Sequence, residues 1–124
     1  MSAGRVLVVD DELMWRELLS MALAAAGYDV DAASSGEEAL ALLRERDFDA
    51  LVLDLFLSGM SGFDVLRAVR ARDDRPAPVC IILSGSPAEA REEAESLGVS
   101  RLLAKPVNRK TLISAVAQVL PRPA

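Results

Sequence analysis

The chain has 124 residues, 52% of them hydrophobic, and is long enough to form one domain with a substantial buried core. Its 14 basic and 19 acidic residues give a net charge of −5, which argues against direct nucleic-acid binding. No apolar run approaches the roughly 20 residues of a membrane span, and the N-terminus has no signal pattern, so we expect a cytoplasmic protein without a membrane partner.

The chain contains no histidine. This excludes Ser-His-Asp and Cys-His nucleophile systems, histidine-containing zinc sites and histidine general bases. The single cysteine, Cys80, lies in an apolar run, which is typical of a buried thiol and excludes a disulfide framework. Any chemistry must therefore depend on carboxylates, hydroxyls, lysine and a bound metal.

The first predicted strand, residues 5–9, is a short apolar run that ends in three acidic residues. A helix is predicted over residues 13–26, and it stops at Gly27 as helices commonly do. Its apolar positions at helical spacing are Trp15, Leu18, Leu19, Ala22 and Ala26. We expect Trp15 to be partly buried at the edge of this helix and to report on nearby binding by its fluorescence.

The alternation of strand and helix continues through the middle of the chain. Residues 28–33 predict a weaker strand, and residues 35–45 predict a helix with a capping-box start. The continuous apolar run of residues 50–53 leads directly into Asp54, and such a run is typical of a parallel strand covered on both faces. Residues 61–70 then predict a third helix that begins with a second capping box.

The fourth strand is predicted over residues 79–83, with Ser84 directly after it. Ser86, Pro87 and Glu89 have the pattern of an N-cap, a first helical residue and a capping-box partner. This pattern gives Ser86 a structural role and leaves the Ser84 hydroxyl free. The helix that follows carries only a thin apolar stripe, so we expect it to move most readily.

Residues 99–104 contain the fifth predicted strand, which Lys105 and Pro106 end, and Asn108 can cap a last helix. Five strand and helix pairs with short loops predict an α/β fold. We expect a doubly wound, flavodoxin-like (βα)5 architecture with a five-stranded parallel sheet in the order 2-1-3-4-5. Residues 1–124 would form one domain with its core at 5–120 and a tail or linker start at 121–124.

In that strand order, Asp10, Asp11 and Asp54 converge because strands one and three are neighbours. Three close carboxylates repel each other unless a cation lies among them, and Mg²⁺ suits a few carboxylates together with phosphate oxygens. Lys105 adds a fixed positive charge, and Ser84 offers a hydroxyl to a phosphate oxygen. These are the parts that phosphoryl transfer to an aspartate requires.

Each of these residues also has a purely structural interpretation. The acidic residues 10–12 fit a helix N-terminus, and Asp54 or Ser84 alone would suit the start of a turn. Lys105 alone would suit a solvated surface. Their occurrence together at successive strand ends favours a functional site, with Glu12 keeping the structural interpretation.

Asp10-Asp11, Asp54, Ser84 and Lys105-Pro106, in this order at strand ends, resemble the receiver domain of two-component response regulators over residues 5–120. The resemblance implies that Asp54 accepts a phosphoryl group from a histidine kinase or a histidine phosphotransfer protein. Ser84 and Lys105 would hold the phosphoryl oxygens. The Lys-Pro peptide bond of this family is usually cis.

The resemblance also implies the metal ligands and the output. Asp11, Asp54 and the backbone carbonyl of Phe56 would ligate Mg²⁺, with Asp10 acting through metal-bound water. The chain would assist its own phosphorylation and dephosphorylation but would turn over no separate substrate, so it would not be an enzyme. Its output would be a protein-binding surface for a downstream output protein, and a homodimer is left open.

Some positions depart from the family pattern. Leu102 stands where tyrosine or phenylalanine is usual, which puts aromatic switching in doubt. Leu57 and Ser58 stand where methionine and proline are common. Phe56 places an apolar side chain where attacking water would pass, so we expect slow self-hydrolysis of the phosphoaspartate.

Two other functions compete with the phosphoacceptor. One is a dimerisation or docking module of receiver fold with little or no phosphorylation, which Leu102 favours and the complete acidic cluster opposes. The other is a small Mg²⁺-dependent phosphohydrolase with an aspartyl nucleophile. Such an enzyme needs a second acid or base two residues after the nucleophile, where this chain has Phe56.

Overall fold

Apolar runs and amphipathic stretches form strands and helices in strict alternation over residues 3–120, the part of the chain that this computed structural model describes. The elements are β1 (Arg5–Val9), α1 (Leu13–Ala25), β2 (Asp29–Ala33), α2 (Gly36–Glu45), β3 (Ala50–Asp54), α3 (Gly62–Ala71), β4 (Val79–Ser84), α4 (Pro87–Ser96), β5 (Arg101–Ala104) and α5 (Arg109–Val119). The bounds agree with the sequence predictions to within one or two residues. The predicted tail, 121–124, lies outside the described residues.

All five strands pair in parallel in the order β2-β1-β3-β4-β5, so the predicted fold class and strand order are confirmed. The central strand β3 lies between β1 and β4, with Val9 opposite Leu53 and Asp54 opposite Leu83. This register brings the carboxyl ends of β1, β3 and β4 to one edge of the sheet. Within residues 3–120, no helix combines the length and apolarity needed to cross a membrane.

The three central strands, β1, β3 and β4, are buried on both faces of the sheet, which explains their continuous apolar runs. Leu51 and Leu53 of β3 point into the core cluster that α2, α3 and α4 cover. Val52, from the same strand, points into the opposite cluster beneath α1 and α5. Cys80 is fully buried in the first of these clusters, as its apolar surroundings predict.

The buried face of α1 differs from the prediction at two positions. Leu18 is 53% exposed and Ala26 is exposed, whereas Leu19 and Leu23 are buried. Successive residues of an α-helix are about 100° apart around its axis, so only one of the neighbours Leu18 and Leu19 can point directly at the sheet. Leu18 therefore contributes to an apolar solvent-facing surface instead of the core.

The helix starts follow the predicted caps in α3 and α5 and depart from them in α2 and α4. At α2, Ser35 accepts from the Glu38 N–H, but the Glu38 carboxylate accepts from Ser34 and so does not complete the predicted capping box. Ser61 and Asp64 form a reciprocal capping box at α3, and Asn108 accepts a hydrogen bond from the Thr111 N–H at α5. Ser86 precedes α4 as predicted, but its side chain makes no cap hydrogen bond. Its backbone, at φ −134° and ψ 66°, lies outside the extended conformation that aims an N-cap side chain at the first turn.

Candidate functional site

The carboxyl ends of four neighbouring strands form one site because their backbone ladder continues beyond the strands. The Leu55 N–H donates to the Leu83 carbonyl at 2.9 Å, and the Lys105 N–H donates to the Ser84 carbonyl at 2.8 Å. These bonds tie the residues after β3, β4 and β5 together. Asp10 follows β1 beside them, so the predicted convergence of these residues is present.

Three carboxylates gather at this edge. One oxygen from each of Asp10, Asp11 and Asp54 lies within 4.8 Å of the others. Asp10 is fully buried and Asp54 is only 6% exposed, whereas Asp11 faces solvent. Burying two ionised carboxylates beside a third destabilises the fold unless positive charge compensates them. Together the three carboxylates provide the oxygen ligands that hard divalent cations prefer.

Lys105 compensates two of these carboxylates directly. Its Nζ lies 2.8 Å from Asp10 Oδ2 and 3.4 Å from Asp54 Oδ2, and its side chain is only 12% exposed. Burial alone would lower the pKa of Lys105, but its hydrogen bonds and ion pairs with the two aspartates outweigh burial and raise the pKa. Lys105 is therefore a permanent cation in the site. The peptide bond between Lys105 and Pro106 is cis, as the resemblance implies.

The electrostatics of Asp54 reflect a balance of burial and charge. Burial raises the pKa of the Asp54 carboxyl, and repulsion from Asp10 adds to the increase. Lys105 and a hydrogen bond from the Phe56 backbone lower the pKa but do not cancel the increase. One ammonium thus leaves the three-carboxylate cluster undercompensated, and the donor set fits a divalent cation such as Mg²⁺.

Trp15 lies at the rim of this site. Its ring centroid is 4.9 Å from Lys105 Nζ, a distance at which a cation and an aromatic face attract each other. The side chain is partly buried, as the sequence predicts. Its position over the site lysine makes Trp15 an intrinsic fluorescence probe of charge changes there.

Ser84 is fully buried at the end of β4. Its hydroxyl was predicted to be free, but the structure shows it in a hydrogen bond. The Ser84 Oγ accepts a hydrogen bond from the Ser86 N–H at 3.0 Å, which closes the turn into α4. A hydroxyl accepts and donates at once, so the Ser84 hydrogen remains able to donate to a phosphate oxygen. The prediction missed this bond because backbone turn geometry is not visible in the residue pattern.

Asp11 has a partner that the sequence analysis did not identify. Ser58, in the loop between β3 and α3, donates to Asp11 Oδ2 from its Oγ at 2.9 Å and from its backbone N–H at 3.2 Å. The serine was noted only as a departure from the family pattern. Its separation of 47 residues from Asp11 left no local signal for the contact.

Phe56 and Leu102, two further positions of the site, differ in burial. The Phe56 side chain, two residues after Asp54, is 66% exposed. Leu102 of β5 is partly buried and packs against the core cluster between the sheet and α4. An exposed aromatic thus lies beside Asp54, while the position of the usual switch aromatic holds an aliphatic side chain that already packs inward.

Comparison with known proteins agrees with this geometry. Residues 6–117 match the response regulator receiver domain family. The chain is 33% identical over 118 residues to the DNA-binding response regulator MtrA of Mycobacterium leprae, covering 95% of this chain and 52% of MtrA. It is 34% identical over 118 residues to the sensory/regulatory protein RpfC of Xanthomonas campestris, covering 93% of this chain and 16% of RpfC. The chain thus spans about half or less of the length of these relatives.

Solved structures give the same result. The chemotaxis response regulator CheY4 of Vibrio cholerae has a TM-score of 0.88 and 32% identity, with 96% of this chain and 100% of CheY4 covered. A CheY-like receiver domain from Methylobacillus flagellatus has a TM-score of 0.86 and 26% identity, with 95% and 99% covered. With its acidic cluster, site lysine and parallel sheet, the chain belongs to the response regulator receiver domain family of two-component systems.

Proposed function

We propose that Asp54 is a phosphoacceptor whose Mg²⁺-dependent modification switches a protein-binding surface. The observation that carries this proposal is the convergence of three carboxylates and the Lys105 ammonium at one sheet edge. A purely structural cluster would be expected to neutralise its buried charge, whereas this one leaves two buried aspartates and a third carboxylate around one lysine. We further propose that residues 1–124 form a single receiver domain.

In the proposed reaction, an Asp54 carboxylate oxygen forms a bond to the phosphorus of a donor phosphohistidine. The donor's N–P bond breaks, and the leaving imidazole keeps the electron pair. Asp11, Asp54 and the Phe56 carbonyl would hold Mg²⁺, with Asp10 acting through water, and the bound ion would neutralise charge at the phosphoryl oxygens. Lys105 would shift from Asp54 to a phosphoryl oxygen, and the Ser84 hydroxyl would donate to another.

The switch would act through the turn that Ser84 closes. Because the Ser84 Oγ now accepts from the Ser86 N–H, a movement of Ser84 toward a phosphoryl group would stretch the connection to α4. The core contacts of α4 come from the small side chains Ala90 and Ala94, so this helix has little apolar area to hold it in place. We infer that α4 and the adjoining β5 face carry the output.

Receiver domains are signalling modules that interact with histidine kinases or phosphotransfer proteins and with output domains. For this chain, we propose that such a donor docks beside the mouth of the site. The solvent-facing side of α1 presents large apolar side chains there, which are Leu13, Met14, Leu18 and Met21. Exposed apolar residues clustered on one helix favour a protein partner over bulk water.

The proposal is tested by NMR on ¹⁵N-labelled protein treated with acetyl phosphate and Mg²⁺. We expect amide shifts at the strand ends and along the turn from Ser84 into α4. Asp54→Asn should show none of the acetyl-phosphate-dependent changes. Shifts confined to the metal site, with α4 unmoved, would contradict the switching part of the proposal and retain the acceptor part.

A second candidate function is a docking or dimerisation module with little or no phosphorylation. Leu102 favours it, because an aliphatic side chain already packed inward has no alternative position comparable to that of a rotating aromatic ring. Acetyl phosphate would then produce no spectral change, and the oligomeric state would be independent of it. Sedimentation of the untreated protein measures the homodimer directly.

A further inference from the structure

The exposed carboxylate of the site differs from its two neighbours in how it is held. Asp10 and Asp54 are buried and ion-paired with Lys105. Asp11 is exposed, and an exposed aspartate rotates freely unless other groups fix it. Its orientation therefore depends on contacts outside the buried pair.

Ser58 supplies such contacts. Its hydroxyl and its backbone N–H both donate to the same atom, Asp11 Oδ2, at 2.9 Å and 3.2 Å. Two donors on one oxygen fix the plane of the carboxylate. The other oxygen, Oδ1, keeps its lone pairs for a cation. The geometry is that of a metal ligand oriented by a hydrogen bond on its second oxygen.

The loop around Ser58 supports this geometry. Gly59, the next residue, has φ 82°, a left-handed conformation that favours glycine and turns the chain back toward α3. The Ser58 carbonyl accepts a hydrogen bond from the Met60 N–H at 3.1 Å. The serine is thus held in a defined turn, with both of its donors directed at Asp11 in the loop after β1.

We propose that Ser58 is a positioning residue that orients Asp11 for Mg²⁺ binding and links the loop after Asp54 to the metal site. This inference rests on the proposed function, in which the acidic cluster binds Mg²⁺. The two hydrogen bonds restrict Asp11 before the cation arrives, so less side-chain freedom is lost on binding. The loop that connects the acceptor strand to α3 is ordered by the same contact.

The test is a Mg²⁺ titration followed by Trp15 fluorescence and checked by calorimetry, without any phosphoryl donor. Ser58→Ala removes the hydroxyl donor and leaves the backbone one. We expect its Mg²⁺ Kd to rise about tenfold, the lower end of the range for losing a partner of a metal ligand. Ser58→Thr keeps a hydroxyl and should bind Mg²⁺ nearly as wild type does. Ser114→Ala, the same change on the exposed side of α5, serves as the matched control.

Several outcomes separate this inference from the proposed function. A Ser58→Ala variant that binds Mg²⁺ as well as wild type, or more tightly, would overturn the positioning role while leaving the metal site intact. A threonine variant as weak as the alanine variant would also overturn it, since the loss would then reflect loop structure. Wild-type protein that binds no Mg²⁺ would overturn both. Metal-free thermal unfolding of each variant reports whether it is folded.

Discussion

At the scale of single residues, Lys105 is the cation that pairs with two buried carboxylates in the metal-free protein. It pairs with the fully buried Asp10 and with the nearly buried Asp54. Removing one member of a buried pair leaves an uncompensated charge, which typically costs about 3–5 kcal/mol. The stability of the site therefore depends on a cation at this position, whether that cation is an ammonium or a metal.

Lys105→Met should lower the free energy of unfolding by about 3 kcal/mol in EDTA, because Asp10 and Asp54 lose the ammonium that pairs with both of them and methionine replaces the side-chain volume. Millimolar Mg²⁺ should restore part of the loss by supplying positive charge among the carboxylates. Urea unfolding with and without Mg²⁺ measures both effects. Equal losses in the two conditions would show that the cluster does not bind Mg²⁺ in this variant.

Phe56 is the residue expected to set the lifetime of the phosphoaspartate. Its exposed side chain lies two residues after Asp54 and contributes no polar group that could orient attacking water. Phe56→Asn should shorten the half-life on the order of tenfold, below the 10²–10⁴ typical of a general base, because an amide can orient water without deprotonating it. Decay of the phosphorylated protein by intact mass measures the half-life. An unchanged half-life would show that Phe56 does not set the lifetime of the phosphoaspartate.

At the scale of elements, the first residue of α3 packs closely against the end of β3, the strand that carries Asp54. A Cβ added at Gly62 would meet the Asp54 carbonyl oxygen at 2.7 Å and the Leu55 Cα at 3.1 Å. Both contacts are backbone atoms that cannot rotate away. The first residue of α3 is therefore required to be glycine by the closeness of the helix to the site strand.

Gly62→Ala should destabilise the fold by about 1–3 kcal/mol, as overpacking against rigid neighbours does. Gly85→Ala is the matched control, because a Cβ there meets nothing within 4 Å. Thermal unfolding compares the two. A Gly62→Ala variant as stable as the control would show that α3 can move away from Asp54 without cost.

The start of α3 contributes to the stability of the fold in a pH-dependent way. The Ser61 N–H donates to Asp64 Oδ2 at 3.1 Å, and this bond, with a smaller contribution from the Ser61 side chain, lowers the pKa of Asp64 below 3.8, its ordinary value. Because the pKa is lowered in the folded state, the stabilisation is present above the unfolded value and is lost as the pH falls through the folded one.

Asp64→Ala should therefore lower the Tm at neutral pH, and the difference from wild type should shrink on acidification below 3.8. Ser61→Ala should cost about 1 kcal/mol at neutral pH, as the loss of a serine N-cap does. Calorimetry of the three proteins across this range is the measurement. A difference that stays constant with pH would show that the Asp64 charge has no part in the cap.

At the scale of the whole molecule, the fold was predictable because parallel strands and their helices leave strong periodic signals. The run of residues 50–53 is buried on both faces of β3, as its continuous apolar character indicates. The convergence of Asp10, Asp11 and Asp54 followed from strand order alone. It required no knowledge of side-chain geometry.

The parts that were missed depend on rotation and on long-range contacts. Leu18 and Leu19 are both apolar, and only packing against the sheet determines which of them is buried. The Ser58 contact with Asp11 joins two loops that are distant in sequence, and the Ser84 bond depends on the turn into α4. The choice between the two leucines and the Ser58 contact are set by tertiary geometry, whereas the Ser84 bond spans only two residues and depends on the backbone conformation of that turn.

The proposed Mg²⁺-dependent switch requires that Asp54 accept a phosphoryl group. The decisive measurement is intact-protein mass after incubation with acetyl phosphate and Mg²⁺, with Asp54→Asn and EDTA-treated wild type alongside. We expect one phosphoryl adduct in wild-type protein with Mg²⁺ and none in the EDTA-treated wild type or in Asp54→Asn. The Asp54→Asn variant should remain folded, because losing one crowded carboxylate relieves repulsion. An adduct that persists in Asp54→Asn, or no adduct in wild-type protein that binds Mg²⁺, would contradict the account.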